Sequence, residues 1–394
     1  MAKLSIRDLD LKGTRVFMRV DFNVPLAEGK VSDDTRIRAS LPSIEHARKS
    51  GARLVLSSHL GRPKGKRNPA MSLRPAAERL SELLKAPVDF ADDCIGPEAE
   101  RKSQALAAGG VLLLENLRFH PEEEKNDESF SQALARHGEV YVNDAFGSAH
   151  RAHASTVGVT RFLSKAAAGF LMEKELTYLG KAIENPEKPY VAIVGGAKVS
   201  DKIEVIENLM KLVDVLILGG GMAYTFLRAQ GVAVGKSLVE EDKIELAKQL
   251  LSDAAARRVS LLLPQDHKVA EKIDPAAQPQ VVGFKEIPDN LMALDIGPRS
   301  VEAFVGVIRK AKTIVWNGPM GVFECPPFAE GTMAVARAVA NSGATSIVGG
   351  GDSIAALHQA GVTDKITHVS TGGGASLEFL GGLKLPGVEA LTDK

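Results

Sequence analysis

The chain has 394 residues, with 49 Lys plus Arg against 49 Asp plus Glu, 44% hydrophobic residues and 25% charged residues. That length exceeds one ordinary core and predicts two domains of about 170 to 200 residues. The even charge balance excludes a global pull toward nucleic acid or an anionic membrane, so any cationic site must be local.

The opening segment MAKLSIRDLDLKGTR is charged throughout and shows no apolar stretch of a secretory signal. No apolar run approaches the roughly 20 residues that span a bilayer. Cys94 and Cys325 lie far apart with no CxxC pair, which speaks against a disulfide framework. A cytoplasmic protein with no membrane and no nucleic-acid partner is the expectation.

Along the first half, short buried runs end in polar side chains: MRVDFN, VLSSHLGR, LLLENLRFH and VYVNDAFGSAHR. Along the second half the runs stop in glycine clusters: YVAIVGG, VDVLILGGG, TIVWNGP, SIVGGGD and THVSTGGG. Continuous Val- and Ile-rich runs of this length, bounded by Gly, read as strands buried on both faces of a parallel sheet. Amphipathic stretches lie between them. Ser200–Leu212 carries Ile203, Ile206, Leu209, Met210 and Val213 on one stripe, and Ser353–Gln359 stops before Gly361, a C-terminal cap. Strands alternating with helices predict an α/β protein of two doubly wound, Rossmann-like parallel-sheet domains with right-handed crossovers. In GFLMEKELTYLGKAIEN, Met172, Leu176, Leu179 and Ile183 recur at helical spacing until Asn185-Pro186 breaks the pattern, so a helix joins the two halves.

In such sheets ligands sit at the carboxyl ends of strands. The dinucleotide fingerprint G-x-G-x-x-G and the Walker pattern are both absent; Gly231 to Ser237 comes one residue short and follows a helical stretch. What remains is a phosphate site built from several strand ends. Gly195, Gly196, Lys198 and Lys202 come from GGAKVSDK beside a helix N-terminus, and STGGGAS adds a row of backbone amides. GGGDS adds Asp352, an oxygen ligand suited to Mg²⁺. The first half offers Arg19, Asp21, Asn23, Arg36, His59, Arg62, Arg118 and Arg151 for a small, doubly charged anion, arginine being suited to bidentate recognition. The acidic run HPEEEKNDESF reads as a solvated loop, His150 and His153 as structural or substrate-contacting rather than zinc ligands, and Trp316 as core. Two unlike sites on two similar halves suggest a transferase. A non-catalytic two-domain sensor of a sugar phosphate or nucleotide is the alternative.

The motifs RVDFNVP, SHLGRPKG, ENLRFH, VNDAFGSAHRAHAST, GFLMEKEL, GGAKVSDKI, GGGMAYTF, GKSLVEEDK, LDIGP, VWNGPMGVFE, GGGDS and STGGGASLEFL follow one another from about residue 16 to about residue 385. In that order they resemble the phosphoglycerate kinase family. The resemblance implies reversible phosphoryl transfer between ATP and the carboxylate of 3-phosphoglycerate, giving ADP and 1,3-bisphosphoglycerate, in a magnesium-dependent monomer that closes its domains. It implies a phosphoglycerate-binding domain over 1–170, a hinge helix over 171–184 and a nucleotide-binding domain over 185–377, with a tail from about 378 to 394 returning to the first domain. Asp21, Phe22, Asn23, Arg36, His59, Leu60, Gly61, Arg62, Arg118 and Arg151 would meet the phosphoglycerate. Gly196, Lys198, Lys202, Asn317, Glu324, Gly350, Gly351, Asp352 and Ser353 would meet the nucleotide, with Glu324 on the ribose and Asp352 on Mg²⁺. Arg36, Lys198 and Gly373 would serve the group in transfer. Cys325-Pro326-Pro327 departs from the family pattern after Glu324.

The reaction also fits what is missing. No Ser-His-Asp order or paired carboxylates supply a general base, and an acceptor carboxylate ionised well below pH 7 needs none.

Overall fold

Apolar side chains on both faces make each buried run a strand, and a polar or glycine turn ends it. In the computed structural model, which describes residues 3–394, these strands are Arg15–Val20 (β1), Arg53–Ser57 (β2), Asp89–Ala91 (β3), Val111–Leu114 (β4), Val140–Asp144 (β5) and Ala166–Ala168 (β6). They form one six-stranded sheet in the order β3-β4-β2-β1-β5-β6, every neighbouring pair parallel. Val16 pairs with Leu54 on one side and Val140 on the other, and Val111–Leu114 is buried throughout, as parallel strands covered by helices require.

The second half repeats the plan with Tyr190–Val194 (β7), Val215–Leu218 (β8), Ser260–Leu262 (β9), Thr313–Asn317 (β10), Thr345–Gly349 (β11) and His368–Val369 (β12). Their order is β9-β8-β7-β10-β11-β12, again all parallel. Strand order reverses between β1 and β5 in the first sheet and between β7 and β10 in the second. Those are the switch points where crevices open in doubly wound sheets. Trp316 on β10 is fully buried among Ile193, Ile314 and Val348, and its Nε1 donates to Gly318 O at 2.7 Å, so the core reading of this residue holds.

By contact density the chain divides into a unit ending at Thr177 that also includes Lys384–Lys394, and a second unit, Tyr178–Leu383. The returning segment is tied in by Thr392 N to Ala166 O (2.9 Å), Leu4 N to Thr392 O (2.8 Å) and Gly387 N to Ala149 O (2.8 Å). The division falls inside the helix Phe170–Glu184. Its fully buried positions are Met172, Glu175, Leu179 and Ala182, a stripe rotated from the predicted one because Leu176 and Ile183 are only half-buried. The Asp144 carboxylate at the end of β5 accepts from Leu171 N at 2.9 Å and Met172 N at 3.3 Å, satisfying two orphan donors of the first turn.

Two features differ from the expected pattern. The helix predicted over 200–212 spans only Ile203–Leu209, because Val199 to Lys202 turn back on themselves (Lys202 N to Val199 O, 2.9 Å). A three-stranded antiparallel sheet of Gln280–Gly283, Asp266–Ala270 and Met292–Ile296, which the alternation of strands and helices does not predict, is inserted in the second unit. Among the described residues no helix is long and apolar enough to cross a membrane.

Candidate functional site

In the first unit the candidate side chains follow β1, β2, β4 and β5. Asp21 leaves β1, and its Oδ2 accepts from Arg36 Nη1 at 2.8 Å; Arg36 stands in the first turn of the helix Thr35–Lys49. Phe22 is fully buried and donates its N–H to Ser58 Oγ at 2.8 Å. Asn23 Oδ1 accepts from Gly61 N at 2.9 Å, and Arg118 Nη1 donates to Gly61 O at 3.0 Å, so the loop after β2 is gripped from two strands. Leu60 is buried and pinned by Asn116, which accepts from Leu60 N at 3.2 Å and donates to Leu60 O at 2.7 Å and Met71 O at 2.9 Å. Arg62 is exposed and Arg151 half-buried, and neither forms an ion pair among the described residues.

Charge in this cluster is lopsided. Burial, then Arg19, Arg118, Arg36 and His153, hold His59 well below the usual imidazole range. His153 is pushed down to about 4 by burial and by Arg118, Arg19 and Arg151, and His150 is lowered by burial and Arg151. Burial and the neighbouring arginines thus disfavour the charged form of all three histidines.

Two expectations fail here. Arg19 faces inward: it is 1% exposed and its donors go to Ser155 Oγ (2.9 Å), Val20 O and His59 Nδ1 (2.9 Å). Glu123, expected in a solvated acidic loop, is fully buried, accepting from Ser155 Oγ at 2.5 Å and Ser155 N at 3.0 Å. Burial raises its pKa against the opposing pull of Arg19.

In the second unit the glycines divide by purpose. A Cβ on Gly195 would lie 2.1 Å from Pro319 O, and one on Gly318 would lie 2.1 Å from Gly195 O, so these two let β7 and β10 turn against each other. Gly196, Gly351 and Gly373 face open space instead: a Cβ at any of them would meet nothing within 4 Å. Gly350 packs on Asn317, whose Oδ1 accepts from Lys202 Nζ and whose buried Nδ2 has no hydrogen-bond partner among the described residues. Burial lowers the Lys202 pKa, with Asp201 and Asp352 pulling the other way. Ser353 is fully buried, its Oγ accepting from Gly318 N at 2.6 Å. Lys198, Glu324 and Asp352 are exposed, Asp352 in the first turn of the helix Gly351–Gln359.

Direct contacts thus join Asp21 to Arg36, Asn23 and Arg118 to Gly61, Lys202 and Gly350 to Asn317, and Ser353 to the β10 turn. Among the described residues, Arg62, Arg151, Lys198, Glu324, Asp352 and Gly373 make no hydrogen bond to another of these side chains. Because the helix begins at Ile203, Lys198 lies before its first turn, and the expected helix-dipole contribution there is withdrawn. Sequence reasoning also missed Glu240, whose carboxylate accepts from Val199 N (2.5 Å), Ser200 N (3.2 Å) and Ser200 Oγ (2.6 Å) and so anchors the loop carrying Lys198. Among the described residues one His/Cys/carboxylate group converges, Asp93, Cys94 and His120, but Asp93 Oδ1 already accepts from His120 Nε2 and Cys94 N at 2.7 Å each.

Paired parallel α/β units, one ending its strands in arginine and histidine and the other in glycine loops with lysine and a carboxylate, define a phosphoryl-transfer class of enzyme. The family profile of phosphoglycerate kinase matches residues 6–383. Phosphoglycerate kinases of Koribacter versatilis and Acidobacterium capsulatum are 64% and 62% identical to the chain, each over 100% of both sequences. The solved phosphoglycerate kinase of Coxiella burnetii is 44% identical, with a TM-score of 0.91 over 98% of each chain. The chain belongs to the phosphoglycerate kinase family: it is a kinase, and its reaction is the glycolytic phosphoryl transfer between ATP and 3-phosphoglycerate. The sensor alternative is not favoured.

Proposed function

We infer that the first unit binds 3-phosphoglycerate or 1,3-bisphosphoglycerate and the second binds ADP or ATP with Mg²⁺. The observation that carries the first assignment is the cluster of arginines around histidines kept neutral. Arg62 and Arg151, free of acidic partners, would take the phosphate. Asp21, Asn23 and His59 would take the hydroxyl and carboxyl end, with Phe22, Leu60 and Gly61 shaping the floor and Arg118 lending charge. Arg36 would turn from Asp21 toward the group in transfer.

The second assignment rests on the open glycines and on an unpaired donor. Gly196, Gly350, Gly351 and Gly373 would present backbone to phosphate, Asn317 Nδ2 would donate to a phosphate oxygen, and Lys198 and Lys202 would neutralise charge. Glu324, exposed, would hold the ribose, and Ser353 would act through the β10 turn it fastens. Asp352 would hold Mg²⁺; a single exposed carboxylate beside phosphates suits an ion that keeps most of its water. When bound, Mg²⁺ would supply positive charge that offsets the phosphate oxygens.

No residue needs to remove a proton, since the acceptor carboxylate is ionised at neutral pH. The residues instead position the acceptor and neutralise three equatorial oxygens, Arg36 from one unit and Lys198 from the other. Water competes as acceptor, so transfer calls for a closed state in which the helix Phe170–Glu184 carries the movement between units. The protein works as a cytoplasmic monomer in this reading. Small-angle scattering tests the closure: the radius of gyration should fall when both substrates are added, and an unchanged profile with both bound would refute it.

A further inference from the structure

His59 is held from behind by a buried chain of side-chain contacts. Arg19 Nη2 lies 2.9 Å from His59 Nδ1, and a guanidinium can only donate, so Nδ1 must be the acceptor. The ring proton therefore sits on Nε2. Arg19 Nε donates to Ser155 Oγ at 2.9 Å, and Ser155 Oγ donates to Glu123 Oε1 at 2.5 Å. Arg19, Ser155 and Glu123 are each 0–1% exposed, and His59 is 6% exposed. Arg19 also donates to Val20 O at the end of β1, which fixes its plane.

We propose that Arg19 is a positioning residue that locks His59 in the neutral tautomer with its proton on Nε2, and that Ser155 and Glu123 hold Arg19 in place from the other side. This deepens the anion-site reading and rests on it. A histidine in such a site has two ways to fail. A proton on Nδ1 would turn Nε2 into an acceptor that repels a carboxylate or phosphate, and a freely rotating ring would lose alignment. Arg19 removes both, because one guanidinium spans His59, the β1 carbonyl and Ser155 at once. Lysine, with a single ammonium, cannot do so. Arg19, Arg118, Arg36 and His153 all act against a charged His59 ring, and among the described residues the hydrogen-bond partner of Nδ1 is Arg19 Nη2.

The test is ring-nitrogen NMR on the ¹⁵N-labelled full chain, with His59→Gln used to assign the resonance. The expected result between pH 6 and pH 8 is a neutral ring with the proton on Nε2 alone. A proton on Nδ1, or a charged ring at pH 7, overturns the proposal. Arg19→Gln should mix the tautomers and raise KM for 3-phosphoglycerate ~10-fold, the worth of one charge-assisted hydrogen bond, with kcat changed far less. Arg19→Lys should recover part of that loss. Should Arg19→Gln fail to fold, Ser155→Ala carries the test: it frees Arg19 Nε and should also loosen the tautomer. An unmixed ring in a folded variant overturns the positioning role. Adding 3-phosphoglycerate to the parent separates the two levels. A locked ring whose Nε2 ignores the ligand overturns His59 as a contact, and the role of Arg19 with it.

Discussion

Replacing Glu240 with alanine removes the anchor of the loop that carries Lys198. Three bonds to one carboxylate are lost: Val199 N at 2.5 Å, Ser200 Oγ at 2.6 Å and Ser200 N at 3.2 Å. Ser200 is exposed, so water replaces its two partners at little cost, whereas Val199 is buried and its N–H is left short of an acceptor. A bond to a charged acceptor is worth about 1.5–3 kcal/mol, and the loss falls on this loop because β7 and β8 keep their ladder. Removing a donor from the group in transfer costs ~100- to 1000-fold in kcat, so loosening that donor should cost ~10- to 100-fold. A coupled assay of phosphoryl transfer from Mg-ATP to 3-phosphoglycerate reads this directly. Glu240→Gln, which keeps one acceptor oxygen, should fall between. Parent-like kcat in Glu240→Ala, with Lys198→Ala inactive, would show that the loop is held by something else.

The remaining predictions concern charge and packing. Binding of 3-phosphoglycerate should raise the His153 pKa from about 4, because an anion offsets Arg118, Arg19 and Arg151; an unchanged or lower value by NMR would contradict an anion there. Asp295 is buried and its pKa is raised to about 7 by desolvation. The native state then holds a proton that the unfolded chain releases near ~3.9, so the group's favourable contribution is present below that value and is lost as pH rises toward 7. The drop in unfolding free energy across that window should shrink in Asp295→Asn, and parallel denaturation curves would refute it. Gly195→Ala forces a methyl against Pro319 O and should destabilise the protein by about 1–3 kcal/mol. Gly306→Ala, exposed on the helix Pro298–Ile308 with nothing near its methyl, should stabilise by roughly 0.5–1 kcal/mol; chemical denaturation checks both signs.

Strands buried on both faces are legible in the sequence because their runs are continuously apolar, and the glycine and arginine endings mark which end of each sheet matters. The antiparallel insertion is not, since Gln280–Gly283 is short and half-exposed and carries no distinctive period. Arginine residues look alike in sequence, yet Arg19 is consumed by Ser155 and His59 while Arg62 stays open. Glu123 looks like one of a solvated acidic trio because its partner, Ser155, lies 32 residues away. Glu240 and Asn116 share that obstacle: their roles are bonds to backbone in distant loops, which leave no local pattern. Glycine endings carry two meanings, and only the geometry separates Gly195 and Gly318, which pack backbone on backbone, from Gly196, Gly351 and Gly373, which face open space.

The most direct test of two-sided neutralisation is the rate of acyl phosphate formation from Mg-ATP and 3-phosphoglycerate, trapped by a coupled dehydrogenase, in the parent, Arg36→Ala and Lys198→Ala. Each variant should lose ~100- to 1000-fold in kcat while remaining folded. Parent-like turnover in either would leave the reaction in place and contradict the assignment of that side chain to the group in transfer.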